Sequence, residues 1–84
     1  MSELLLKRIT FNRGVLCGKP TIRGMRISVE MILELLAAGE PEQQILEDFP
    51  ELESEDIRAV LAYALRLVAG ETVHRTNPPA ESLA

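Results

Sequence analysis

Three groups of residues in this 84-residue chain have types and spacings that invite chemistry. The first is Gly14…Gly18-Lys19, two glycines ahead of a lysine, as in a loop that cradles phosphates. That chemistry needs four residues between the glycines and a Ser or Thr after the lysine. Here three residues separate the glycines, and Pro20 follows with no N–H to offer a phosphate. The second is Cys17, whose thiolate would be a nucleophile if nearby cations lowered its pKa and a base were in reach. The single histidine, His74, lies far down the chain. The third is the run of carboxylates Glu47, Asp48, Glu51, Glu53, Glu55 and Asp56. A magnesium ion needs only a few such oxygens in octahedral array, but acidic residues scattered over helices read by default as a solvated surface. With one Cys and one His, neither an intrachain disulfide nor a zinc site of those ligands assembles in one chain. No group completes a catalytic set, so the expectation is a non-enzymatic protein with no metal and no cofactor.

The basic residues are the remaining candidates. The formal net charge of −4 argues against a nucleic-acid partner, but it hides a division. Residues 1–26 hold Lys7, Arg8, Arg13, Lys19, Arg23 and Arg26 against Glu3 alone, a net of +5; residues 27–84 carry −9. Such asymmetry marks either a polar interaction surface or two halves that attract each other. Lys19, Arg23 and Arg26 fall in one short window and could contact phosphates. They could equally pair with the acidic helices of the same chain or of a second copy.

The elements that must position these side chains are legible in outline. Ile9-Thr10-Phe11-Asn12 alternates with period two and reads as a short strand, and Arg13-Gly14 and Gly18-Lys19-Pro20 read as turns and loop. Ile22 and Ile27 flank Gly24, which suits a tight hairpin. Residues 1–27 thus read as an extended β-arm. Ser28 is placed to cap a first helix that Gly39 ends, and Pro41 opens a second helix that Pro50 stops. Ser54 is placed to cap a third helix over 54–69, with Gly70 at its end. Its apolar positions Ile57, Val60, Leu61, Ala64, Leu65 and Val68 form the strongest periodic signal in the chain. The fold expected is mainly α with a short N-terminal β-arm or hairpin. It is a three-helix, helix-turn-helix-like domain of winged-helix or homeodomain-like type, spanning 1–70, with 71–84 as a mobile tail. The five-residue link before the third helix fits a helix-turn-helix pair. As a recognition helix, residues 54–69 would put Arg58 and Arg66 toward DNA, but the first turn presents Glu55 and Asp56, which repel phosphates.

No apolar run is long enough to span a bilayer, and the three leucines at 4–6 are too few for a signal peptide, so a cytoplasmic protein without a membrane partner is expected. A chain this short builds a small core, and its first helix is apolar nearly all round; both features lead us to expect a homodimer.

The segment Gly18-Lys19-Pro20-Thr21-Ile22-Arg23-Gly24-Met25-Arg26-Ile27-Ser28-Val29 resembles domain-of-unknown-function family 433, small prokaryotic proteins with the pattern G-K-P-x-I-R-G-T-R-I-x-V. The likeness continues through Leu35-Leu36-Ala37-Ala38-Gly39, Ile45-Leu46-Glu47-Asp48-Phe49-Pro50 and residues 52–64. Met25 departs from the pattern, a thioether where the family usually has a threonine hydroxyl. The resemblance implies a helix-turn-helix-like domain with a β-arm. It also implies the role of antitoxin in a type II toxin–antitoxin pair, neutralising a PIN-like nuclease. On that reading a dimer binds double-stranded operator DNA through Lys19, Arg23, Arg26, Arg58 and Arg66. The alternatives are a stand-alone DNA-binding regulator and a dimeric protein-interaction module with no DNA role.

Overall fold

A helix that the composition of the N-terminus does not announce, α1 (Ser2–Leu6), precedes the first strand. The computed structural model describes residues 2–72. Five residues cannot sustain a helix in water on their own; α1 is held by packing along the last helix, with Leu5 and Leu6 half-buried. The extended arm expected for residues 1–27 is therefore helical at its start, because tertiary contact overrides the lack of a local signal.

Strand β1 (Ile9–Phe11) pairs antiparallel with β2 (Pro20–Ile22) in the register Ile9↔Ile22, Thr10↔Thr21, Phe11↔Pro20. Ile9 and Ile22 are buried, and the Thr10 and Thr21 hydroxyl oxygens lie 3.1 Å apart at the centre of the ladder. The connection is unusual. Asn12 Oδ1 accepts from the Gly14 N–H at 2.8 Å, and a single 3-10 turn at Leu16–Gly18 follows with all three residues in the left-handed region (φ 49°, 57° and 83°). Two of the three have side chains, so this turn stores backbone strain.

After β2 the chain reverses at Arg23-Gly24. Both residues have positive φ (47° and 73°), and the Met25 N–H donates to the Ile22 carbonyl at 2.9 Å, a type I′ turn. Thr21 then bridges Ser28, and the Ile22 N–H donates to Ile27, so the hairpin expected around Gly24 is present. The Gly24 N–H is taken by Thr10 Oγ1 at 2.8 Å, while Met25 is half-buried against the core.

Helix α2 (Val29–Ala37) begins where Ser28 Oγ accepts from the Met31 N–H at 3.0 Å. It ends in a Schellman motif, with Gly39 at φ 91°, the Gly39 N–H on the Leu36 carbonyl and the Glu40 N–H on the Leu35 carbonyl. Helix α3 (Glu42–Asp48) buries Ile45, with Pro41 as its cap residue. A five-residue link containing buried Leu52 leads to α4 (Ser54–Thr72), giving α3 and α4 helix-turn-helix order. Helix α4 runs through Gly70 to Thr72, two residues past the end expected at Gly70; the rest of the expected tail, residues 73–84, lies outside the described residues.

The core gathers Ile9, Ile22, Ile27, Val29, Ile32, Ile45, Leu52, Ile57, Ala59 and Val60. The apolar stripe of α4 therefore divides. Ile57 and Val60 are buried, whereas Leu61, Leu65 and Val68 are 48%, 66% and 57% exposed and Leu67 is 54% exposed. The described residues are mainly helical with one short antiparallel hairpin, as the sequence indicates.

Candidate functional site

The most densely bonded side chain among the described residues is Asp56, near the start of α4. Glu53-x-x-Asp56 places a carboxylate where it can reach back to the N–H that precedes the helix. Asp56 Oδ2 accepts that Glu53 N–H at 2.8 Å. The Ser54 hydroxyl, expected to cap this helix, instead donates to Glu42 Oε2 at 2.9 Å and ties α4 to α3. Asp56 caps the Glu53 N–H that precedes the helix while also serving two arginines.

Arg23 lies side-on to Asp56, with Nε donating to Oδ1 at 3.0 Å and Nη2 to Oδ2 at 2.7 Å. Arg23 Nη2 also donates to the Glu51 carbonyl at 2.9 Å. From the other side, Arg8 Nη1 donates to Asp56 Oδ1 and to Glu53 Oε1, both at 2.9 Å. The two arginines are themselves joined by the Arg23 N–H on the Arg8 carbonyl at 2.7 Å. Each carboxylate oxygen of Asp56 thus has two donors, and its side chain is wholly buried. Burial alone pushes the Asp56 carboxyl up. The bonds from Arg23, the Glu53 N–H and Arg8, together with the charge of Arg23, outweigh it and hold the group below the ordinary carboxylate range. The same bonds hold both guanidiniums protonated more firmly than usual, Asp56 being the main cause in each.

This arrangement decides between the two readings of the basic arm for Arg23: it pairs with the acidic helix of its own chain. Lys19 does likewise, with Nζ 3.3 Å from Glu30 Oε1 on α2, an open pair with both side chains mostly exposed. Arg26 is exposed beside the hairpin turn and Arg58 is exposed on α4; neither makes an ion pair among the described residues. Arg66 borders a shallow cavity between α1 and α4 with Glu3, Leu6 and Lys7. The hairpin brings Lys19, Arg23 and Arg26 near in sequence, but Lys19 turns to α2 and Arg23 to α4. The carboxylate run is dispersed among separate tasks: Glu53 and Asp56 hold arginines, and Asp48 accepts from Gln44 at 3.0 Å. Cys17 is exposed in the left-handed turn.

The second feature is apolar. Between α2 and α4 lies a groove of about 330 Å³ lined by Pro20, Val29, Leu33, Tyr63, Ala64, Leu67 and Val68, with Glu30 at its edge. Phe11, 60% exposed, reaches its end and meets Tyr63 with ring centroids 6.0 Å apart. On the other flank of α4, Leu6, Ala62, Leu65, Arg66 and Ala69 line a smaller cleft of about 230 Å³. From Leu61 to Ala69 a single residue, Arg66, is charged, so this half of α4 is apolar nearly all round while only part of it is covered. A helix of that kind is ordinarily buried on most sides. Sequence periodicity marks these leucines as apolar but carries no sign that the chain's own core fails to reach them. Nothing local in the sequence marks Arg8 and Asp56 as partners, since 48 positions separate them.

The family model for the protein of unknown function group DUF433 matches residues 9–64, from the first strand through the body of α4. The chain belongs to this family. Arg23, Asp56 and the hairpin of this DUF433 chain all fall inside the matched segment, whereas α1, Leu65, Leu67 and Val68 lie outside it. A relative, the uncharacterized protein y4eO of Sinorhizobium fredii (strain NBRC 101917 / NGR234), is 36% identical over 56 residues, which make up 67% of this chain. The chain spans about a quarter of that relative's length. No solved structure matches the chain. No described helix is long and apolar enough to cross a membrane.

Proposed function

We propose that this DUF433 chain is a non-enzymatic protein-binding module of antitoxin type, a homodimer that neutralises a PIN-like nuclease by taking an apolar segment of it into the α2–α4 groove. The observation that carries the reading is the groove itself: Val29, Leu33, Tyr63, Ala64, Leu67 and Val68 present an almost wholly apolar lining at the surface. Exposed apolar surface rimmed by polar residues marks a site of protein contact. The ion-pair cluster supports the same reading indirectly. Asp56 anchors the β-arm to α4 through Arg8 and Arg23 and so fixes β2 and α2, which form one wall of the groove, against α4, which forms the other.

The test is co-expression with the product of the neighbouring small open reading frame. The reading expects the neighbour to arrest growth alone, to be harmless with this chain, and to co-purify with it. Growth arrest that the chain fails to relieve, with no co-purification, refutes it.

Binding of double-stranded DNA is the secondary reading. One observation favours it: from Ile57 to Gly70, α4 carries Arg58 and Arg66 and no carboxylate. Contacts would fall to Lys19, Arg26, Arg58 and Arg66, while Arg23 is held by Asp56 and Glu51. Affinity for the upstream fragment should then fall with salt at a log–log slope of roughly −0.9 per phosphate contact. A flat salt response, or no shift at low salt, removes this reading and leaves the protein-binding one standing.

A further inference from the structure

We propose that helix α1 is a strap that lifts from α4 on its own while the rest of the fold stays closed. It hinges between Lys7 and Arg8, and its lifting uncovers Ala62, Leu65 and Ala69. The proposal is independent of the toxin, DNA and dimer readings, because this flank of α4 lies away from the α2–α4 groove. What distinguishes α1 is how it is held. Among the described residues, Glu3 through Lys7 make no side-chain hydrogen bond and no ion pair. Their hold on the fold is the apolar contact of Leu5, which packs against the core, and of Leu6; both are half-buried, while Leu4 is 69% exposed. A helix of five residues satisfies few of its own amides and does not persist in water without such contact. The contact is also incompletely filled. Cavities of about 310 and 230 Å³ both border Leu6 and Arg66, the first with Glu3 and Lys7, the second with Ala62, Leu65 and Ala69. Leu65 is 66% exposed even with α1 in place.

Arg8 is the fixed end of the strap. Its Nη1 donates to Asp56 and Glu53, and its carbonyl accepts the Arg23 N–H at 2.7 Å. The step from Lys7 to Arg8 therefore separates a segment held by two leucines from one bonded to a buried carboxylate and to the hairpin. Segments with few buried apolar contacts open at low free energy, whereas core elements open only near global unfolding. The flank of α4 under the strap carries Ala62, Leu65 and Ala69 with Arg66 as its one charge, so lifting α1 exposes apolar surface. Seated, α1 is the occupant of that surface, an autoinhibitory contact that shields it from other chains.

The test is native-state hydrogen exchange on the full chain, followed by NMR in rising but sub-denaturing urea. The Lys7 N–H, which donates to the Glu3 carbonyl at 3.3 Å, reports α1. The Arg23 N–H on the Arg8 carbonyl reports the fixed end, and the Ile22 N–H, which donates to the Ile27 carbonyl at 3.0 Å, reports the core. Lys7 is expected to exchange about tenfold or more slower than in an unstructured chain, yet about 100-fold or more faster than Ile22 and Arg23, at a rate that urea hardly changes. Leu6→Ala should speed exchange at Lys7 by about tenfold, the loss of roughly half of a buried leucine's contribution, and leave Ile22 unchanged. A second probe is thiol labelling of Ala62→Cys in a Cys17→Ser background, which Leu6→Ala should speed by about the same factor. Equal protection and equal urea dependence at Lys7 and Ile22 would mean that α1 opens only with the whole fold, and would overturn the strap. No protection at Lys7 would mean that α1 is not seated on α4, and would overturn it too. Arg23 exchanging at the rate of Lys7 would overturn the hinge. Labelling at position 62 that Leu6→Ala leaves unchanged would overturn the assignment of the surface beneath.

Discussion

Replacing Asp56 by alanine should be the most destabilising single change of a charged residue in α4. The side chain is wholly buried and accepts four hydrogen bonds, three of them from charged donors. Removing a capping acceptor costs about 1 kcal/mol. Losing the two-pronged Arg23 contact costs a further ~1.5–3 kcal/mol, the usual range for hydrogen bonds to a charged group. The loss is moderated because the Arg8 and Arg23 side chains are 28% and 36% exposed, so the freed guanidiniums reach water without unfolding the chain. We therefore expect about 3 kcal/mol in total, against a stability of only ~5–15 kcal/mol for a whole domain. For a domain of this length that corresponds to a fall in Tm of roughly 12–24 °C. The assay is thermal and urea unfolding followed by circular dichroism at neutral pH. A fall in Tm of less than about 4 °C would mean that the cluster contributes no more than an exposed ion pair, and the argument from burial would be wrong.

Because Asp56 is held below the ordinary carboxylate range, its contribution is fully present above that range and is lost as pH falls through the lowered value. The stability gap between wild type and Asp56→Asn should accordingly be widest near neutral pH and close on acidification, and a gap that stays constant down to about pH 2 contradicts this. Lys19→Ala should change stability by less than about 1 kcal/mol, since its pair with Glu30 is 59% and 63% exposed; a Tm shift comparable with that of Asp56→Ala would show otherwise. Gly39→Ala should cost about 1 kcal/mol by forcing a side chain into the left-handed region at φ 91°, although a Cβ there meets nothing within 4 Å. An unchanged urea midpoint for Gly39→Ala would mean that this helix end relaxes freely.

What the sequence reveals here is what is local. Ser28, Gly39 and the reversal at Gly24 act within a few residues through capping, positive φ and turn chemistry, and all three are where their residue types place them. Helix α1 is hidden because its stability comes from α4, some sixty residues away in the chain. Ser54 shows the limit of a local rule. A hydroxyl at a helix start ordinarily caps it, yet here the Ser54 hydroxyl turns to Glu42, and the carboxylate that caps the Glu53 N–H also satisfies two distant arginines. The site divides in the same way. The charge asymmetry admits attraction between the basic arm and the acidic helices as one of two readings, beside an interaction surface, and it leaves open which arginine meets which carboxylate, since Arg23 and Asp56 are 33 positions apart. The period of α4 identifies Leu61, Leu65 and Val68 as apolar, but burial depends on how far the other helices extend, and α2 and α3 are shorter than α4.

The central claim is that this chain works by apolar protein contact along α4, with its arm arginines engaged inside the fold. Calorimetric titration of the purified neighbouring gene product into the wild type, into Leu67→Glu and into a Lys19→Glu/Arg26→Glu variant tests it most directly. The account predicts a negative heat-capacity change on binding, at least a tenfold loss of affinity for Leu67→Glu, and little change for the charge reversals. Affinity that survives Leu67→Glu and vanishes with the charge reversals would contradict it.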